Sequence, residues 1–392
     1  MSSPTVADIF RAGFDQFLAT HGPQPLQHLR VASAITACRT PALGGTRQRC
    51  DHCGHEKTHF HSCRNRHCPQ CQTTARVQWV NDRLSELLPV GYFHVVFTVP
   101  SELNPFALRN KRVFYEMLLR AVRDTMLQLA ADPKRLGADI GFIAVLHTWG
   151  QTLTDHPHVH CIVPGGGFDA RRQRWKPCQK RFLFPIPVLR ALYRGKFMAL
   201  FCQALHNGSI ALHGSLAAFA DQAAQRRLLD QLYRTEWVVY VKAPFAGPQA
   251  LVKYLGAYTH RSAISNRRIV GVTESAVSFA YRDYRRGGAP AQMTLGATEF
   301  IRRFMLHVLP QGFRRIRYVG LLAARGQASR LARARAFFRL RPLRAIREME
   351  QTRTWVDIIK ELTGKDPLLC PACQEGRLQP AGFVARALPL RR

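Results

Sequence analysis

The run His156-Pro157-His158-Val159-His160 leads straight into Cys161-Ile162-Val163, an apolar segment that reads as a buried β-strand. Alternation along a strand places His156, His158 and His160 on one face. Burying three unpaired imidazoles side by side is costly, so the pattern calls for a metal ion or a dense hydrogen-bond network. Further along comes Tyr254-Leu255-Gly256-Ala257-Tyr258. In a helix, tyrosines at i and i+4 project from one face and both hydroxyls reach the same site.

A His-hydrophobic-His strand beside a tyrosine pair supplies what metal-assisted phosphodiester transesterification needs. The ion polarises the phosphate, and a phenol attacks phosphorus to leave a covalent protein–DNA phosphotyrosine. In these residues, and in the blocks HSCRNRHCPQCQ (61–72), HTWGQTLTDHPHVHCIVPGGG (147–167), YLGAYTHRSAISNRRI (254–269) and FIRRFMLHVLPQGFRRIRYVG (300–320), the chain resembles the two-tyrosine HUH transposases of the insertion sequence 91 family. The blocks follow family order over most of the chain. The resemblance implies a DNA transposase that moves an insertion sequence by a rolling-circle-like route through a 5′-phosphotyrosine. It implies His158 and His160 as the HUH ligand pair, Tyr254 and Tyr258 as nucleophiles, and an N-terminal transposase zinc-binding domain.

Composition agrees independently. The chain carries 57 Lys+Arg against 25 Asp+Glu, a formal charge of +32, which points to a polyanionic partner. The expected partner is DNA, single-stranded or as hairpin element ends, with no membrane and no nucleotide cofactor. No run of 18 apolar residues suggests a spanning helix. The N-terminus lacks the basic and apolar regions of a secretion signal, so a cytoplasmic protein is expected. Eleven cysteines without an export signal point to metal ligation rather than disulfides.

The expected fold class is α+β: a mainly antiparallel HUH-nuclease sheet with packed helices, preceded by a small Cys/His zinc-binding domain. In linear order the chain reads as an N-terminal helical arm (1–36), a zinc-binding domain (37–76), the nuclease domain (88–312) and an Arg-rich C-terminal extension (313–392). From Phe313 to Arg347 there are eleven arginines and no acidic residue, the texture of a polyanion-binding surface.

Cys50-x2-Cys53 and Cys68-x2-Cys71, separated by 14 intervening residues, have close to the spacing of a four-cysteine structural zinc site. Cys38, Cys63 and His67 remain as candidates for a second zinc ion, although this chain has Thr46 where the family often carries a histidine. Cys370-x2-Cys373 stands alone as half a site. Phosphate contacts are expected from Arg64, Arg66, Lys253, Arg261, Arg267, Arg268, Arg314, Arg315 and Arg317.

A catalytic ion needs a third protein ligand. If residues 140–151 and 156–163 form a hairpin whose turn is centred between Thr154 and Asp155, Gln151 lies opposite His158 on the same face, with Cβ atoms roughly 5 Å apart. Gln151 is the expected third ligand, His156 its competitor, and His147 a supporting or substrate contact. Such a nitrogen and oxygen set suits Mg²⁺ or Mn²⁺, with Mn²⁺ the more tolerant of imidazole. Two rival readings are a replication initiator or relaxase of the same chemistry, and a non-catalytic zinc-dependent DNA-binding protein.

Overall fold

The computed structural model describes residues 4–179, 183–242, 256, 263–323, 327–343 and 354–387. The chain forms two compact units, each assembled from separated segments. One comprises Met1–Val77, His260–Met305 and Leu343–Arg392; the other comprises Gln78–Thr259 and Leu306–Pro342. The linear division into four consecutive domains is therefore not how the chain clusters. The reason is strand pairing between distant segments.

In the second unit the sheet has five strands, in the order Ile316–Gly320, Gly141–Trp149, Asp155–Pro164, Tyr92–Thr98 and Val239–Lys242. All neighbouring pairs are antiparallel. The Arg-rich segment thus begins as an edge strand of this sheet rather than as an appendage. Alternation sorts the residues into two faces. Phe93, Val95, Phe97, Phe142, Ala144, Leu146, Val159, Cys161 and Val163 all fall in one core cluster. They pack there with Phe114, Leu118 and Val122 of the Lys111–Ala131 helix and Phe197 and Phe201 of the Ile186–His206 helix. Both helices exceed five turns, and buried aromatics and aliphatics together hold them to the sheet.

The opposite face carries Tyr92, Ile143, Val145 and Ile162, which pack with Trp79 of the Gln72–Glu86 helix. His94, His147, His158 and His160 share that face with Val96, Thr98, Ile316 and Tyr318. One sheet therefore has a dry side devoted to folding and a second side divided between packing and chemistry. The expected α+β class, with an antiparallel sheet and packed helices, is what the chain adopts.

In the first unit the Val6–His21 helix opens with a capping box, the Thr5 hydroxyl accepting from the Asp8 N–H while the Asp8 carboxylate accepts from the Thr5 N–H. Its buried Phe10 meets Phe304 edge-on, ring centroids 5.2 Å apart. A meander of Ile269–Val272, Ala276–Asp283 and Ala289–Gly296 forms a second small sheet. In a third, Gly45–Cys50 lies between Glu56–Phe60 and the C-terminal strand Leu378–Val384. The last of these pairings returns the end of the chain to its beginning.

Candidate active site

In the Gly141–Trp149 and Asp155–Pro164 hairpin, His147 faces His158 and Val145 faces His160. On the other side Val96 faces His160 and His94 faces Ile162. Paired residues share a face and alternation does the rest, so His94, His147, His158 and His160 all stand on the side away from the helix-packed core. One ring nitrogen from each of His147, His158 and His160 lies within 4.8 Å of the other two. Ring centroids are 4.5 Å apart for His147 and His160 and 4.8 Å for His158 and His160.

Gln151 does not lie opposite His158; His147 does. The turn is centred earlier than the polar residues Thr152 to Asp155 suggest. Gly150 donates to the Thr154 carbonyl at 2.9 Å, and Leu153 takes a left-handed conformation with φ +61 while its side chain is fully buried. A bulge between His147 and Trp149 completes the change of register. Because the partner moves from Gln151 to His147, an even step along the strand, the face is preserved while the ligand changes.

Hydrogen bonds fix which nitrogen each ring offers. The Nδ1 of His158 donates to the His156 carbonyl at 2.6 Å, leaving Nε2 with its lone pair. The Nδ1 of His160 lies 2.7 Å from Nε2 of His94; with His160 as the donor, its Nε2 carries the lone pair. Burial, followed by the neighbouring imidazoles, pushes His158 down to about 4 and His160 well below the usual histidine range. Both rings are neutral at pH 7, the form that binds metals. His156 is exposed and contributes its carbonyl rather than its ring to the cluster.

Two functional residues were not singled out in the sequence. His94 sits in an otherwise apolar strand, and its only signal is that it shares parity with Tyr92 and Val96 on the histidine face. His307 is buried, its Nδ1 3.2 Å from the Thr148 hydroxyl and its Nε2 3.0 Å from the Leu153 carbonyl, so it anchors the hairpin turn. Burial pushes His307 down to about 3. Above pH 6.5 this residue is neutral whether the chain is folded or not. Between pH 6.5 and 3 only the unfolded chain takes up its proton, so its stabilising effect is lost as pH falls. His307→Asn should therefore lower the urea midpoint at pH 7, and the gap from wild type should narrow toward pH 4; a gap independent of pH would contradict neutral burial.

Tyr254, Tyr258, Lys253 and Arg261 lie outside the described residues. Gly256, between the two tyrosines, is helical and buried. A Cβ there would collide with the Val80 side chain, so only glycine permits this close backbone approach to the Gln72–Glu86 helix. Among the arginines, Arg64, Arg267 and Arg314 are exposed and available to a phosphate backbone. Arg66 and Arg268 are half-buried, the latter donating to the Ala280 carbonyl at 2.7 Å. Arg315 is buried and Arg317 pairs with Glu116 at 2.5 Å, so these two are tied into the protein.

The cysteines pair differently from their spacing. Cys68 and Cys71 meet Cys38 and Cys63, whereas Cys50 and Cys53 meet Cys370 and Cys373. The single site of Cys50, Cys53, Cys68 and Cys71 is thus corrected to two separate four-thiol clusters. In the first, Cys71 Sγ is 3.2 Å from Cys38 Sγ and 3.4 Å from Cys63 Sγ. His67 is buried but is not a member of either cluster. Four crowded thiols with no disulfide are the donor set of a closed structural zinc site.

Comparison with known proteins accords with this arrangement. Residues 9–99 match the family described as "Transposase zinc-binding domain", and residues 141–330 match the family described as "Putative transposase". The chain is 46% identical over 377 residues to the "Putative transposase y4qJ" of Sinorhizobium fredii, covering 96% of this chain and 94% of that protein. It is 29% identical over 313 residues to the transposase for insertion sequence element IS801 of Pseudomonas savastanoi pv. phaseolicola, covering 76% of this chain and 70% of that one. No solved structure matches. No helix among the described residues is long and apolar enough to cross a membrane.

Proposed function

From the premise that this chain belongs to the IS91/IS801 family of insertion-sequence transposases, we propose that it nicks and rejoins single DNA strands by tyrosine transesterification. The observation that carries the reading is the convergence of His147, His158 and His160 on the side of the sheet away from its helix-packed core. His147 takes the place expected for Gln151. The donor set fits a divalent ion: each ring is held by its neighbours, and the two whose lone pairs are assigned are neutral at pH 7.

A divalent ion bound there would withdraw charge from the non-bridging oxygens of the scissile phosphate. Three imidazoles form a softer set than Mg²⁺ prefers, so Mn²⁺ is the ion expected to support the faster reaction. Tyr254 and Tyr258 each supply a phenol oxygen that attacks phosphorus, forms the P–O bond to the 5′ end and releases the 3′-hydroxyl. The stored ester is later attacked by a 3′-hydroxyl, which restores the phenol and conserves the bond energy. No nucleotide cofactor is required. Exposed arginines such as Arg64, Arg267 and Arg314 would supply salt-dependent affinity for the backbone. Zinc held by four thiolates would be structural and take no part in this chemistry.

The test is incubation of the purified protein with a labelled single-stranded oligonucleotide carrying an element end. A covalent adduct that needs Mn²⁺ or Mg²⁺ supports the reading; tight binding with no adduct across ions and oligonucleotides would replace it with a DNA-binding role. His94 is a positioning residue in this scheme, since its Nε2 lies 2.7 Å from the Nδ1 of His160 and so holds that ring. His94→Ala should raise the Mn²⁺ concentration for half-maximal cleavage by about 10–100-fold, with the rate recovered at saturating Mn²⁺. An unchanged Mn²⁺ dependence with a lower maximal rate would remove that role.

A further inference from the structure

We propose that Cys50, Cys53, Cys370 and Cys373 form a second structural zinc site, which fastens the C-terminal segment to the N-terminal zinc-binding domain. In a tetrahedral zinc site with Zn–S bonds of about 2.3 Å, sulfurs stand roughly 3.8 Å apart. Cys50 Sγ lies 3.8 Å from Cys373 Sγ, and Cys53 Sγ lies 3.7 Å from Cys370 Sγ. All four ligand atoms fall within 4.8 Å of one another, and all four cysteines are free thiols.

The two halves share one construction. After each second cysteine the chain turns through a left-handed residue, Gly54 at φ +70 and Gln374 at φ +59. The N–H of that residue donates to the carbonyl of the first cysteine, Gly54 to Cys50 at 3.2 Å and Gln374 to Cys370 at 3.0 Å. The first cysteine's own N–H is taken up in the same way on both sides, Cys50 by the His55 carbonyl and Cys370 by the Gly376 carbonyl, each at 2.9 Å. Backbone N–H groups also point at sulfur: His52 at Cys50 Sγ, 3.4 Å, and Gly376 at Cys373 Sγ, 3.3 Å. Such N–H···S contacts stabilise a thiolate and hold it in place for a metal.

Contacts between the halves are as developed as those within them. The Asp51 carboxylate accepts from the Arg377 N–H at 2.7 Å, while the Asp51 N–H donates to the Arg377 carbonyl at 3.1 Å. A Cβ at Gly376 would strike Cys50 Sγ and the His52 side chain, so glycine is what lets the second turn seat against the first. Leu378 pairs with Cys50 at the start of the strand that runs on to Val384 along Gly45–Cys50. The ligands are separated by 317 and 323 residues in sequence, so one ion would close a loop comprising most of the chain. The zinc-binding domain is then discontinuous, and its last two ligands lie far beyond the 9–99 segment that the family description covers.

The test uses full-length protein carrying His158→Ala and His160→Ala, so that the histidine cluster takes up no metal. Elemental analysis should find two zinc ions per chain, and X-ray absorption at the zinc edge should show a shell of sulfur alone near about 2.3 Å. The three remaining cysteines, Cys161, Cys178 and Cys202, cannot furnish a second four-thiolate set. Adding Cys370→Ser and Cys373→Ser should remove one of the two ions and leave the Cys38, Cys63, Cys68 and Cys71 ion bound. A single zinc per chain in the parent, a quarter or more of nitrogen in its zinc shell, or two ions retained after the Cys370 and Cys373 changes would each overturn the assignment. Should the cysteine variant fail to fold, the parent's stoichiometry and ligand shell decide the matter.

Discussion

Replacing His158 and His160 together with alanine should abolish strand cleavage while DNA affinity and its salt dependence stay at wild-type values. Loss of a single group that only orients a metal ligand costs 10–100-fold, so removal of two ligands should cost well over about 10²-fold. Binding should survive because both imidazoles are neutral and neutralise no phosphate; the salt slope is set by arginines and lysines. His147→Ala should be nearly as severe, and Gln151→Ala mild, because His147 is the residue opposite His158. Measured as adduct yield on a single-stranded oligonucleotide alongside filter binding, full activity in the double variant would sink the metal assignment. The opposite ranking of His147→Ala and Gln151→Ala would restore Gln151 as ligand.

That ranking shows where the sequence was legible. Period-two alternation depends only on the strand being a strand, so the face shared by His158 and His160 could be read directly. Register depends on the turn. Thr152-Leu153-Thr154-Asp155 looks like an ordinary polar loop with one misplaced leucine, yet Leu153 is the buried anchor, capped through its carbonyl by His307 more than a hundred residues away. No local signal announces such a tertiary preference. The partner changed by an even step, so His147 stands on the face predicted for Gln151, while Gln151 itself lies in the turn.

The cysteines teach the same lesson at longer range. The CxxC motifs were recognisable because the turn between the two sulfurs is local chemistry. Their pairing follows instead from which strands are neighbours. Leu378–Val384 adds to Gly45–Cys50 and brings Cys370 and Cys373 with it, a contact that spacing between nearby motifs could not reveal. The Arg-rich segment shows a related effect: charge density reads as a solvated, polyanion-binding surface, but Ile316, Tyr318 and Val319 give its first residues enough apolar surface to serve as an edge strand. Its arginines divide accordingly between exposed Arg314 and the structurally engaged Arg315 and Arg317.

Tyr254→Phe and Tyr258→Phe combined should eliminate every covalent protein–DNA adduct and leave salt-dependent binding unchanged. Each change removes one hydroxyl from a ring that keeps its shape, so the fold should tolerate both. Either single variant should retain cleavage through the neighbouring phenol but fail to hold one strand while cutting the next, which predicts nicked product without joined product. The informative control is Tyr318. It stands on the histidine face opposite Ile143, but its hydroxyl accepts from Trp79 Nε1 at 3.0 Å and from Arg83, and the Arg83 guanidinium lies over its ring. A phenol committed to two donors is a poor candidate for attack, so Tyr318→Phe should alter stability more than adduct yield. Peptide mapping of the protein–oligonucleotide conjugate discriminates: adducts confined to Tyr318, or to Tyr281 or Tyr284, would overturn the assignment of Tyr254 and Tyr258 as nucleophiles.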